Sequence, residues 1–211
     1  MKIIDISMAI TPEIMVYNNN PEKRPKIWLT ATHEKNGIQE TRISMDAHTG
    51  THMDAPLHMI DGGDTIEHTP LEKLIVPCRV LDFSHIKEKI SAEDLKQKEI
   101  HSGEFILLKT RSSFSDDFDF NFVFVDESGA TYLKDKAIMG VGIDAPGIER
   151  SQPGHETHRT LLGHEIPIIE GLRLAHVDEG EYVLIALPIK LNTAEAAPMR
   201  AILLPAGSLT E

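Results

Sequence analysis

Three histidines and one aspartate fall within eleven residues, at His48, His52, Asp54 and His58. All four positions are even, so in an extended backbone their side chains leave the same face. A helix does not account for the cluster. His48 and His52 would align at i, i+4, but Asp54 would point away, and Gly50 and Pro56 are poor helix residues. Imidazole nitrogens and a carboxylate oxygen are ligands for zinc, manganese or iron. Catalytic centres of this kind typically take three protein ligands and leave a position open for water. His48, His52 and Asp54 are assigned as that trio. Gly50 lets the backbone turn between the two histidines, and Pro56 stiffens the run toward His58, which is kept off the metal as a proton carrier. The competing reading, surface or hydrogen-bonded core histidines, suits isolated residues better than four clustered ones.

The frame that must hold these groups is an ordinary globular one. The chain has 211 residues, 41% hydrophobic and 26% charged, as expected for one packed domain over 1–211. A net charge of -12 argues against nucleic acid or an anionic membrane as partner. Cys78 is the only cysteine, so there is no internal disulfide and no Cys-based metal site, and a reducing cytoplasm fits. The N-terminal residues lack a signal peptide's long apolar core, and no stretch approaches 18 uninterrupted apolar residues. A cytoplasmic protein off the membrane is expected.

The pattern predicts a mixed α/β, strand-rich fold. Strands are expected at 2–7, 26–30, 40–45, 79–83, 105–110, 138–143, 166–169, 182–187 and 199–205, the one at 40–45 running into the histidine cluster. Residues 11–25, with Asn18-Asn19-Asn20, Pro21 and Pro25 as turn formers, read as a loop. Trp28 reads as a packing residue. Ser91 caps one helix running to about 99, and Ser128 is expected to cap another through 136. Residues 113–124 read as a loop on a pocket mouth. Gly140 and Gly142 suggest close backbone packing, and without a further G-x-x-G they give no dinucleotide site.

A second stretch carries chemistry. His158, Leu161 and Leu162 share i, i+3, i+4 spacing, and Glu170 closes an isoleucine-rich run. A glutamate there is expensive to bury unless paired or bound to metal. On the residues alone, a helix-surface histidine and an exposed strand-end glutamate are an equal alternative.

The first run resembles the H-x-G-T-H-x-D-x-P-x-H signature of the cyclase-like metal-dependent hydrolases, which include bacterial kynurenine formamidases (arylformamidases) and isatin hydrolases. The H-x-x-L-L…I-I-E-G-L run at 158–172 resembles the family's second signature. The resemblance implies a swivelling β/β/α fold, usually a homodimer or larger assembly. It implies that His158 and Glu170 hold a second metal bridged by Asp54, and that His58 transfers protons. It points to hydrolysis of an amide-type bond in a small molecule. N-formylkynurenine, cleaved to kynurenine and formate in tryptophan catabolism, is the lead example, with one or two ions, zinc first and manganese as alternative. Tyr17 stands where kynurenine formamidases tend to have a pocket tryptophan, and Thr110-Arg111-Ser112 replaces a family Thr-Gly-Trp. These departures keep two further readings open: ring-opening of an isatin-like cyclic amide with a single manganese, and a non-catalytic metal-binding protein whose shell His58 completes.

Overall fold

The computed structural model describes residues 2–208. In chain order its strands are β1 (Ile4–Asp5), β2 (Lys26–Ala31), β3 (Glu40–Ser44), β4 (His52–Asp54), β5 (Ile75–Asp82), β6 (Lys89–Ile90), β7 (Phe105–Lys109), β8 (Phe124–Val125), β9 (Gly140–Ile143), β10 (Ile168–Glu170), β11 (Gly180–Pro188) and β12 (Ala196–Pro205). The helices are α1 (His33–Asn36), α2 (Ala92–Lys96), α3 (Glu127–Asp135) and α4 (Glu156–Leu162). One sheet runs β1-β12-β11-β5-β7-β9-β10-β4, and β4 also pairs with β12. That last pairing closes seven strands into a barrel, with β1 outside on β12. The class is mixed α/β and strand-rich, as the pattern predicts. The β5–β7, β7–β9 and β9–β10 pairs are parallel, and the pairs made by β4, β11 and β12 are antiparallel.

Side-chain alternation divides the apolar residues into two cores. Phe105 and Leu107 of β7 join Val76, Val80, Leu184 and Leu203 inside the barrel. Ile106 and Leu108 point outward, under the helices, with Leu95, Leu133 and Leu161. An apolar run buried on both faces is what a parallel strand between two layers requires. Gly140 and Gly142 face the barrel interior. A Cβ on Gly140 would sit 2.2 Å from the Phe105 ring, and one on Gly142 2.7 Å from both Leu107 and Leu172. The close packing read from these glycines is the packing found.

Several expectations need correction. The strand predicted at 79–83 starts at Ile75. Pro77 masks it in the sequence, but the pairing with β7 begins only at Cys78, so the missing N–H faces no partner there. Asp126, not Ser128, caps α3: its carboxylate accepts the Gly129 N–H, and the Ser128 hydroxyl donates to the same oxygen. Trp28 is 42% exposed, because β2 and β3 form a separate hairpin with almost no covered residues. The 113–124 segment does not line the cleft. Its Phe118 packs edge-on behind Tyr17, ring centres 5.6 Å apart.

Gly142→Val should lower stability by about 1–3 kcal/mol through overpacking. In denaturant titration the midpoint is expected to fall with an unchanged slope. A midpoint equal to wild type would contradict the interior placement of that face.

Candidate metal centre

Register positions the first groups. In β4, Met53 points into the barrel, so His52 and Asp54 project outward from its wall. Glu170 of β10 lies directly opposite His52. The parity expected for the whole run therefore holds for His52 and Asp54 only. His48 and His58 arrive differently, on a turn through Gly50 (φ +68°) and on a single helical turn at Pro56–His58. Thr51 staples that turn: its hydroxyl donates to the Gly171 carbonyl at 2.6 Å and accepts the Met8 N–H at 2.8 Å. Gly171 itself (φ +66°) lies against Gly50, and a Cβ there would be 2.6 Å from the Gly50 carbonyl oxygen. Thr51 and Gly171 have no titratable group, so chemistry-first reading of the sequence passes over them.

His158 comes from α4, which packs its Leu161 and Leu162 onto the outer core. The turn after β9 closes over the site. Asp144 anchors this turn by accepting from the Thr110 N–H at 2.9 Å and from the hydroxyls of Thr110 and Ser113 at 2.6 and 2.7 Å. Burial pushes its carboxyl up to about 6 despite these donors. Further along the turn, the Ile148 N–H donates to Glu170 Oε1 at 2.6 Å.

The structure brings His48, His52, Asp54, His58, His158 and Glu170 into one cluster. His48 Nδ1 is 3.0 Å from Asp54 Oδ1, and His52 Nε2 is 3.5 Å from both Asp54 Oδ1 and Glu170 Oε2. His158 Nε2 lies 3.5 Å from Asp54 Oδ2 and 3.2 Å from Glu170 Oε1. The His58 ring is centred 4.3 Å from that of His48 and 5.5 Å from that of His158. Candidate ligand atoms within 4.8 Å of one another group as His52, Asp54 and Glu170, as His48, Asp54 and His58, and as Glu149, His155 and His158. Asp54 is common to the first two groups, and its side chain is wholly buried.

Two carboxylates missed in the sequence also touch this cluster. Glu195 Oε1 is 3.4 Å from His48 Nε2, and Glu149 Oε2 is 3.3 Å from His158 Nδ1. His155 donates from Nδ1 to Glu149 at 2.7 Å. The His164 ring, just past the end of α4, bonds the Thr160 carbonyl of that helix at 2.8 Å through Nδ1. Arg200 pairs with Asp5 and with no residue of the cluster among the described residues.

The donor set fits a cation. His52 Nδ1 is 2.9 Å from the Gly50 carbonyl, which can only accept, so that nitrogen carries the hydrogen. Its Nε2 then turns a lone pair toward carboxylate oxygens. Both Asp54 oxygens and His52 Nε2 are buried without a hydrogen bond among the described residues. Acceptors facing acceptors in a dry site need positive charge between them, either added protons or a metal ion. The charge state follows this logic. Burial would raise the Asp54 carboxyl, but the His158 and His48 rings facing it hold it well below the usual carboxylate range. Burial lowers and Asp54 raises His48 and His158, and the carboxylates win at both rings. At His58 burial wins, helped by His48 and His158 against the pull of Asp54 and Glu170, so its pKa falls.

His48, His52, His58, His158 and Glu170 line a cleft of about 520 Å³, walled further by Met15, Tyr17 and Met59 and by the polar Lys23, Gln152 and His155. Cys78 lies elsewhere, with burial pushing its thiol up to about 12.

A closed barrel carrying a histidine–carboxylate cluster on its outer wall defines a class, and comparison with known proteins identifies it. The family described as "Putative cyclase" matches residues 4–150. Kynurenine formamidases of Salinibacter ruber and Bacillus anthracis are 32% and 30% identical, over 96% and 97% of this chain and 97% and 98% of theirs. The structure of a predicted metal-dependent hydrolase from Bacillus stearothermophilus superposes with a TM-score of 0.88 at 48% identity, covering 96% of this chain and 97% of that one. Isatin hydrolase A from Labrenzia aggregata shares the fold, with a TM-score of 0.85 at 23% identity over 97% and 93% of the two chains. The chain belongs to the cyclase family.

Since the carboxylates raise His48 and His158, whose protons a cation would replace, zinc binding at neutral pH should release protons. Calorimetry in buffers of different ionisation enthalpy reads this directly. Asp54→Asn should abolish most of the binding; full stoichiometry in that variant would show that the shared carboxylate is not a ligand.

Proposed function

We propose that the protein is a metal-dependent hydrolase of an amide-type bond in a small molecule, arylformamidase-like, with N-formylkynurenine as the lead substrate. The observation that carries this reading is the convergence of His48, His52 and His158, which line one cleft, on the buried oxygens of Asp54, beside a histidine whose pKa is depressed. The formamidases among the relatives support the substrate class.

In this reading His48, His52 and Asp54 hold one ion, and Asp54, His158 and Glu170 hold a second. When bound, the metal lowers the pKa of water toward neutrality and stabilises developing oxyanion charge. The chain's own residues do the rest. His58, kept neutral by burial and by its histidine neighbours, accepts the water proton on its free ring nitrogen and returns it to the leaving nitrogen. Tyr17, braced from behind by Phe118, offers an aromatic wall flanked by Met15 and Met59 for a flat substrate. The acceptor character of the cluster makes zinc the first candidate, with manganese the alternative.

One observation favours a second reading. His58 lies within coordination reach of His48 and Asp54. As a fourth ligand it would close a single-metal site, giving a binding protein without turnover. An isatin-like lactam hydrolase with one manganese is distinguished from the lead reading by substrate alone. Assembly as a homodimer or tetramer belongs to the proposal too, supported by the uncovered apolar residues Trp28 and Ile43 of the β2–β3 hairpin. So does a cytoplasmic location. Among the described residues no helix is long and apolar enough to cross a membrane.

His58→Ala should retain zinc and lose about two to four orders of magnitude in turnover. Loss of zinc instead would make His58 a ligand and favour the closed site. Assays on N-formylkynurenine and isatin separate the two enzyme readings. Because His58 must be neutral to accept a proton, activity should fall with decreasing pH through a pKa below about 6.5. An acid limb above that value would assign proton transfer elsewhere.

A further inference from the structure

Glu149 is a buried carboxylate in contact with the cluster to which the proposed function gives no role. It sits on the turn after β9, 5% exposed. Three donors hold it. The Nδ1–H of His155 reaches Oε1 at 2.7 Å, and Oε2 accepts the backbone N–H of His158 at 3.0 Å and the Gln152 amide at 3.3 Å. His158 Nδ1 faces the same Oε2 at 3.3 Å.

An ionised carboxylate can only accept, so the ring nitrogen facing it must carry the hydrogen. Nδ1 completes no hydrogen bond among the described residues, and Nε2 bonds Glu170 Oε1 at 3.2 Å. Where a cation takes the place of the proton on Nε2, an Nδ1–H kept toward Glu149 leaves Nε2 as the nitrogen with the lone pair. Nε2 is the atom aimed at Asp54 Oδ2 and Glu170 Oε1. The same carboxylate grips the backbone of His158 as well as its ring, and the preceding residue, Ile148, donates to Glu170. One short turn thereby orients both groups that the second metal position needs beyond Asp54.

We infer that Glu149 is a positioning residue for the second metal position: it selects the Nδ1–H tautomer of His158 and locks the ring with Nε2 toward Asp54 and Glu170. The inference rests on the metal-site reading above. A carboxylate behind a ligating imidazole also raises the basicity of the coordinating nitrogen. Glutamine keeps the shape but is a weaker acceptor, and its amide adds donors where only an acceptor fits.

The test uses zinc and the full chain, with affinities read by competition against a chromophoric chelator. Wild type, Glu149→Gln, Glu149→Ala and Glu156→Gln are compared, and metal-free melting curves are recorded for each. Glu156 lies on the same helical turn as His158, and no hydrogen bond or ion pair joins it to the cluster among the described residues. The expected result is a loss of about 10- to 100-fold in affinity for the second zinc equivalent in both Glu149 variants, larger for alanine. The first equivalent and Glu156→Gln should match wild type, and the ring nitrogen shifts of His158 in the zinc-loaded wild type should report an Nδ1–H tautomer. Glu149 variants within about twofold of wild type overturn the inference while leaving the metal site intact. So does an Nε2–H tautomer. If the metal-free variants melt well below wild type, Glu149→Asp decides. Recovery of second-site affinity without recovery of melting supports positioning, and any other pattern makes Glu149 structural. A wild type that binds only one equivalent overturns this inference alone. One that binds none overturns the proposed function with it.

Discussion

Asp54 is an ionised carboxylate in a dry place, and the rest of the site is arranged around that constraint. Among the described residues no backbone N–H or hydroxyl satisfies its two oxygens. Only imidazole nitrogens face them, and Glu170 brings a second carboxylate to the same spot. Removing such charge from water costs several kcal/mol per ion unless opposite charge compensates. The free protein can supply that compensation only by protonating His48 and His158. The site is therefore built for a positive charge that no lysine or arginine brings to Asp54 or Glu170 by an ion pair among the described residues, and the shifts of Asp54, His48 and His158 follow from that shortage.

The barrel makes this arrangement hold its shape. β4 has only three residues, yet it is flanked on both edges, by β10 and by β12. A strand clamped on two sides cannot slide, and a slip of one residue would turn His52 and Asp54 into the barrel interior and Met53 into the site. The cross-strand pairing of His52 with Glu170 then fixes one edge of the cluster without any side-chain adjustment. The outer layer supplies the other edge. Helix α4 delivers His158, and the turn after β9 holds it through Glu149 and holds Glu170 through the Ile148 amide.

Much of the site was legible in the residue types, since three histidines and an aspartate in one run have few other uses. The geometric reason offered for their grouping was only half right. Parity applies to His52 and Asp54 in β4, while His48 and His58 owe their places to a glycine turn and a proline-led helical turn that no alternation rule describes. The parallel strand at 105–109 was plain from its unbroken apolar run. The strand containing Pro77 was shortened because a proline is tolerable only where the neighbouring strand has not yet begun, a fact of register rather than of sequence. Trp28 misled for a related reason: an aromatic in a strand normally finds a core, and this one lies on a hairpin that the rest of the chain does not cover. Glu149 and Glu195 were invisible because neither falls in a run of chemistry-bearing residues. Only the folding of distant turns onto the histidines gives them a part.

The contact between Thr51 and Gly171, 120 residues apart, ties the site to the order in which the chain is made. Until β10 and β12 have been made, β4 has neither of its flanking strands, and the glycine of the second signature has not reached the turn of the first. The histidine run leaves the exit tunnel well before them and is clamped on both sides only once β12 closes the ring. The centre therefore cannot exist before β12 has been made, so a chain interrupted earlier has no competent site.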